Sequence, residues 1–204
     1  MAVPGMANTG SVIAGVGKVY IAPIGEPWPA ITGDALVWAG NWVHLTTETD
    51  GGYEVTYKET NTEHRIDQQS MPVMYTPDTA EGSLKIEMAS MDHAKLLYLI
   101  SNATLTPTAA GVGTVGVSKL GIGGSAIKQY QVGIEGLSPE NPSGGDWWEL
   151  VKIWKLIPES ELKKTYKKGS KQMVSAMFKL AADLTQAAGE TVCAIIHKSA
   201  EAET

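Results

Sequence analysis

The residues able to do chemistry are few and scattered. Four histidines, His44, His64, His93 and His197, lie far apart, and none forms a pair at metal-ligand spacing. The chain holds neither H-E-x-x-H nor C-x-x-C, the spacings that bring two zinc ligands together. No G-x-S-x-G elbow exposes a serine nucleophile, so a Ser/His/Asp set has no signature behind it. Gly111-Val112-Gly113-Thr114-Val115-Gly116 matches the G-x-G-x-x-G fingerprint by letter. That fingerprint holds a pyrophosphate only where a strand enters it and a helix begins inside it. Thr106-Pro107-Thr108 before it and Val117-Ser118 after it predict a loop instead. Cys193, the single cysteine, sits in Val192-Cys193-Ala194-Ile195 and reads as a small apolar packing residue. Asn102-Ala103-Thr104 spells a glycosylation sequon, which has meaning only in a secreted chain. These residues point to no enzyme, no metal and no cofactor.

Charge and aromatic content are more informative. Lys163, Lys164, Lys167, Lys168 and Lys171 form one basic cluster with Tyr166 among them. It reads as a solvated hairpin or a patch for an acidic partner rather than a phosphate grip. The formal net charge of -6 argues against general nucleic-acid binding, and Arg65 is the only arginine. Residues 1–100 carry 12 Asp/Glu against 5 Lys/Arg, net -7, while residues 101–204 carry 10 against 11, net +1. A chain polarised in this way suits head-to-tail binding of its own copies, acidic face on basic face. The six tryptophans suggest a carbohydrate platform as one alternative. Trp147, Trp148 and Trp154 lie in one apolar run, however, and Trp38 and Trp42 flank another. Core or subunit interface is the better reading.

The elements that must position these residues are mostly strands. Lys18–Ala22 reads as a first strand stopped by Pro23, and Trp38–Thr46 as a second. Tyr53–Lys58 alternates strictly, Tyr53, Val55 and Tyr57 against Glu54, Thr56 and Lys58. Residues 60–78 are mostly polar and read as a long loop. In Ser83–Ala89, Leu84, Ile86 and Met88 share a face, with Lys85 and Glu87 on the other. The period then changes. One helix of about three turns is predicted at about residues 90–101, capped by Ser90, with Asp92 in its first turn. Ala94, Leu97, Tyr98 and Ser101 fall on its one side. Residues 103–126 read as a Thr/Gly/Val loop with one short strand near Val115–Leu120. Tyr130–Gly136 alternates, Trp147–Ile157 is apolar on both faces, and residues 158–171 form a lysine-rich connection. Gln172–Leu184 keeps a period of two through Val174, Ala176, Phe178, Leu180 and Ala182, which selects strand over helix. Thr191–His197 is a last short strand.

Composition agrees with one β domain. A chain of 204 residues exceeds the size of roughly one 150-residue domain by little. Hydrophobic residues at 43% and charged residues at 19% are globular values, and mean hydropathy is -0.07. No run approaches the ~18 apolar residues of a membrane-spanning helix. The first ten residues lack the basic segment and apolar core of a signal peptide, and one cysteine fits a reducing compartment. Residues 1–16 read as an arm without a core of its own, 17–197 as a single domain and 198–204 as a polar tail. Eight to ten short strands with one helix make a mainly β, antiparallel sandwich or barrel.

Taken together, the pieces resemble the major tail (tail tube) proteins of long-tailed bacteriophages. The N-terminal part carries Gly17-Lys18-Val19-Tyr20-Ile21-Ala22-Pro23-Ile24-Gly25-Glu26-Pro27-Trp28-Pro29, then Trp38 to Trp42, then Thr46-Thr47-Glu48-Thr49-Asp50-Gly51-Gly52. It is similar to the family's opening strand, proline turn and approach to a long hairpin. Gly82–Ser90 with the helix to Ile100 looks like the family's strand running into its single helix. Tyr130–Gly136, Trp148–Leu156, Lys167-Lys168-Gly169 and Met173–Asp183 follow its closing strand order over about residues 17–197. Met173–Leu184 departs from the more β-branched strand of the family.

The resemblance implies a virion structural protein of the tail, assembled in the host cytoplasm. Six copies form a ring around a β-barrel lumen, and rings stack into a tube through which DNA passes without specific binding. The implied partners are other copies, the tape measure, the tail terminator and the distal tail protein, with no membrane. On that reading Thr60, Asn61, Glu63, His64, Arg65, Asp67, Gln68 and Gln69 belong to a loop that interlocks rings. Glu54 and Glu87 become candidates for the lumen wall, which is expected to be acidic or neutral. Lys163, Lys164, Lys167, Lys168 and Lys171 are candidate ring–ring contacts outside the bore. The alternative is a β-sandwich binding module for sugars or surfaces, of a phage or a bacterium.

Overall fold

The computed structural model describes residues 17–32, 35–45, 52–64, 74–88, 92–100, 102–112, 115–123, 127–137, 148–165 and 173–197. Their strands are β1 (Lys18–Pro23), β2 (Ala30–Thr32), β3 (Ala35–Val37), β4 (Val43–Leu45), β5 (Tyr53–His64) and β6 (Met74–Met88). After the helix α1 (His93–Leu99) come β7 (Ala103–Thr108), β8 (Val117–Ile122), β9 (Tyr130–Leu137), β10 (Trp148–Thr165), β11 (Met173–Leu180) and β12 (Cys193–His197). One antiparallel sheet runs in the order β4-β1-β9-β10-β11-β6-β5, with β12 also paired to β10. The pairs β2–β3 and β7–β8 are separate hairpins. The mainly β, antiparallel fold class expected from the alternations is what forms. The arm of residues 1–16 and the tail of 198–204 lie outside the described residues.

Strand β10 makes a sandwich out of a single sheet. Its first half pairs with β9 on one edge, from Trp148↔Leu137 to Leu156↔Tyr130, and with β12 on the other. Its second half pairs with β11, from Leu156↔Leu180 to Thr165↔Met173. Register shifts fall between Ile153 and Leu156 and between Pro158 and Leu162. Such irregularities bend a strand, and Pro158, which has no N–H to donate, sits at one of them. The two halves of the sheet therefore face each other. Val19, Ile21, Val132, Ile134, Val151 and Ile153 of one half share a buried cluster with Leu84, Ile86, Met88, Val174, Ala176 and Phe178 of the other. A Cβ built on Gly17, just before β1, would collide with the Tyr53 ring, so the start of β5 crosses the start of β1. Burial of each large apolar side chain contributes about 1.5–3 kcal/mol.

Several elements differ from the expectations, each for a physical reason. The helix is seven residues, not three turns, and its N-cap is Asp92 rather than Ser90. The Asp92 side chain accepts the Ala94 N–H at 3.0 Å. Its buried residues are Leu96 and Leu99, one register away from the expected face, and Ala94 is exposed. The polar stretch after Lys58 is strand as far as His64, and strand resumes at Met74. Two polar runs pair there with each other, Lys58↔Glu81, Thr60↔Thr79 and Thr62↔Thr76, and need no apolar face to do so. The lysine-rich connection likewise begins as strand, since β10 continues to Thr165. Residues 103–122 hold a two-stranded hairpin rather than a loop with one strand. Of the described residues in Trp38–Thr46, only Val43–Leu45 is strand.

Candidate functional site

The outward face of the half-sheet β10-β11-β6-β5 is polar and built by alternation. Leu84, Ile86 and Met88 point into the core, which leaves Ser83, Lys85 and Glu87 on the other face of β6. On β5, Glu54, Thr56 and Lys58 stand opposite Lys85, Ser83 and Glu81. On β11, Ser175, Met177 and Lys179 stand opposite Glu87, Lys85 and Ser83. The charges on this face alternate in sign. Lys85 Nζ lies 2.8 Å from Glu87 Oε1, and Lys179 Nζ lies 3.0 Å from Glu159 Oε1 on β10. The hydrogen bond to Glu87, then its charge, holds the Lys85 ammonium above its usual range, and Glu159 does the same for Lys179. The two lumen candidates Glu54 and Glu87 thus come together around one lysine, Glu54 by cross-strand register and Glu87 by direct contact.

The other candidates are placed by two hairpins that leave this half-sheet at opposite ends. Strand β6 pairs with β11 only from Ser83↔Lys179 to Met88↔Val174. Beyond Ser83, β5 and β6 run on together to His64↔Met74, past the end of β11. Thr60, Asn61, Glu63 and His64 belong to this overhang and are strand, not loop. Arg65, Asp67, Gln68 and Gln69 lie outside the described residues. At the other end, β10 and β11 reach Thr165↔Met173, past Met88. Lys163 and Lys164 stand in register with Ser175 and Val174, while Lys167, Lys168 and Lys171 lie outside the described residues.

The tryptophans form a second layer over the opposite half-sheet. Trp38 stacks on Tyr20 at 4.1 Å and 13°, and meets Trp42 edge-on at 4.8 Å. Trp28 contacts both Trp42 and Trp154, and Lys152 Nζ lies over the Trp28 ring at 5.3 Å. This layer explains why β10 reads as apolar on both faces. Among the described residues these tryptophan rings meet one another at 50°, 85° and 71° rather than in a flat row. Trp147 lies outside the described residues, and Trp148 is buried.

The remaining motifs gather no chemistry. Gly111 and Gly116 stand in the connection between β7 and β8, with strand on both sides. His93 Nδ1 is 3.2 Å from Ser118 Oγ, and His44 is tilted against Tyr20. Among the described residues no three His, Cys, Asp or Glu side chains could share a metal. Among them, too, no helix is long and apolar enough to cross a membrane. Burial pushes the Cys193 thiol up, which leaves it a poor nucleophile. Sequence reasoning missed Glu149, a carboxylate 2% exposed whose Oε2 lies 3.2 Å from His197 Nδ1. Its signal was present: one glutamate inside an apolar run.

No curated protein matches the sequence. Among solved structures, the fold is similar to a chain in the cryo-EM structure of the anti-feeding prophage (AFP) baseplate, 6-fold symmetrised. The two share 9% identity over 96% of this chain and 97% of that one, with a TM-score of 0.46. Residues 4–135, more than half of the chain, match the family described as phage tail tube protein. A match over more than half of the chain leads to one conclusion: the chain belongs to the phage tail tube protein family.

Proposed function

We propose that the protein is a non-enzymatic structural subunit of a tail tube, in which six copies close into a ring and rings stack around a lumen that DNA traverses. The observation that carries this is the pair of flanks on the polar half-sheet. Strand β5 ends the sheet on one side. On the other, β10 beyond Leu156 has no strand along its β9-facing edge among the described residues. A sheet with two such flanks can continue from copy to copy until it closes on itself, which removes both edges. The polar face, with Glu54 and Glu87, then lines the bore. The other tail proteins (tape measure, terminator, distal tail) cap or fill this tube, which is assembled in the host cytoplasm.

Stacking falls to the two hairpins. Residues 58–81 carry five acidic and two basic side chains, and residues 159–172 carry two acidic and five basic. Because the strands that bear them leave at opposite ends, an acidic hairpin of one ring meets a basic one of the next, with Lys164–Lys171 outside the bore and Lys163, opposite Ser175 on the polar face, at its rim. Negative-stain images of the purified protein should show rings or tubes. Deleting Asn61–Gln69 should leave a folded monomer that builds no tubes. Long tubes from that variant would remove the hairpin from the ring–ring contact, and a wild type that never assembles would overturn the tube itself.

A further inference from the structure

We propose that Glu87 and Glu159 serve as built-in counter-charges for Lys85 and Lys179, so that the polar half-sheet keeps these two lysines yet gives a passing nucleic-acid backbone no grip at either. The inference rests on the tube reading, and concerns how its bore treats phosphate. Lysines on this face are a hazard to a conduit. A duplex threads past every copy, and each phosphate neutralised adds ~0.9 to the log–log salt slope of binding. Lysines are useful there all the same, because opposite charges on neighbouring strands support the ladder.

The geometry reconciles the two demands. Lys85 and Glu87 share one strand two residues apart, therefore one face, and meet at 2.8 Å. Lys179 and Glu159 meet across the β10–β11 pair at 3.0 Å. Lys58 stands opposite Glu81 and Lys85 opposite Glu54, and the Glu81 charge also acts on Lys179. Every one of these contacts lies within a single chain, so the lysines are neutralised before any ring forms. Both lysines are exposed, at 43% and 68% of the side chain, so removal of the carboxylate leaves a charge open to solvent and to phosphate.

The test compares wild type and variants of the full chain by titration against a fluorescent DNA duplex at low salt. Glu87→Gln/Glu159→Gln should bind the duplex at least roughly tenfold more tightly than wild type, with a steeper salt dependence, as two new phosphate contacts require. Adding Lys85→Gln/Lys179→Gln to that variant should return it to the wild-type affinity. Lys163–Lys171 are common to every form and cancel in the comparison. Single variants Glu87→Gln and Glu159→Gln, each tighter than wild type, decide the matter if the double variant does not fold. Unchanged affinity in folded variants overturns the charge-pair proposal whether or not tubes form. Absence of rings and tubes in wild-type images strikes the tube reading and leaves the titration untouched.

Discussion

Glu149 shows what one buried carboxyl does to a sheet of this kind. Desolvation raises its pKa, and the charge of His197 only partly opposes that. A raised folded-state value means that Glu149 favours the fold below its unfolded value of 4.5. That contribution is lost as pH rises through the folded-state value, where a charge must be held in the interior. Glu149→Gln removes the titration. Chemical unfolding at about pH 4 and at about pH 7 should therefore find wild type losing ground to Glu149→Gln at the higher pH. A gap between the two that stays constant, or moves the other way, contradicts this. The nearby Tyr53 hydroxyl, pushed up to about 12 by burial and then by the Glu149 charge, stays protonated throughout.

At the scale of elements, the connection from β1 to β4 is held down by aromatic rings rather than by strand pairing. Gly133 in β9 is where it docks, for a Cβ there would run into the Trp38 ring. Trp38 is also fixed by its stack on Tyr20 and by donating its Nε1–H to Glu135 at 2.9 Å. The turn below it is tied as well: Gln131 donates to the Glu26 carbonyl at 2.6 Å and accepts from the Gly25 N–H at 3.2 Å. Gly133→Ala should cost about 1–3 kcal/mol, the range for overpacking a tight site, with a shift in tryptophan fluorescence. In a Trp38→Ala background the same substitution should cost much less. Equal costs in both backgrounds would show that the glycine serves the strand and not the ring.

At the scale of the whole molecule, charge is sorted by fold as well as by sequence. On the proposed tube, ring stacking through hairpins of opposite sign should weaken as salt shortens the Debye length from roughly 10 Å at about 0.1 M to 3 Å at about 1 M. Tubes should shorten or fall into rings over that range while far-UV circular dichroism of the subunit holds; salt-indifferent tubes would point to apolar stacking instead. The sequence by itself determined the buried strand faces. Leu84/Ile86/Met88 and Val174/Ala176/Phe178 are each buried as their period of two implies, because one-sided burial writes itself into adjacent residues. Strands whose residues do not alternate apolar with polar left no such record, so Thr60–His64, Glu159–Thr165 and the β7–β8 hairpin were illegible. Lys85 beside Glu87 was a local fact of alternation. Glu159 beside Lys179 and Glu149 beside His197 were not, since each depends on which residue of a distant strand falls opposite β10. Only the tertiary structure decided that register, along with the bend at Pro158 that folds one sheet into a sandwich. Both are set by the simultaneous burial of two facing halves, and no window of neighbouring residues contains that constraint.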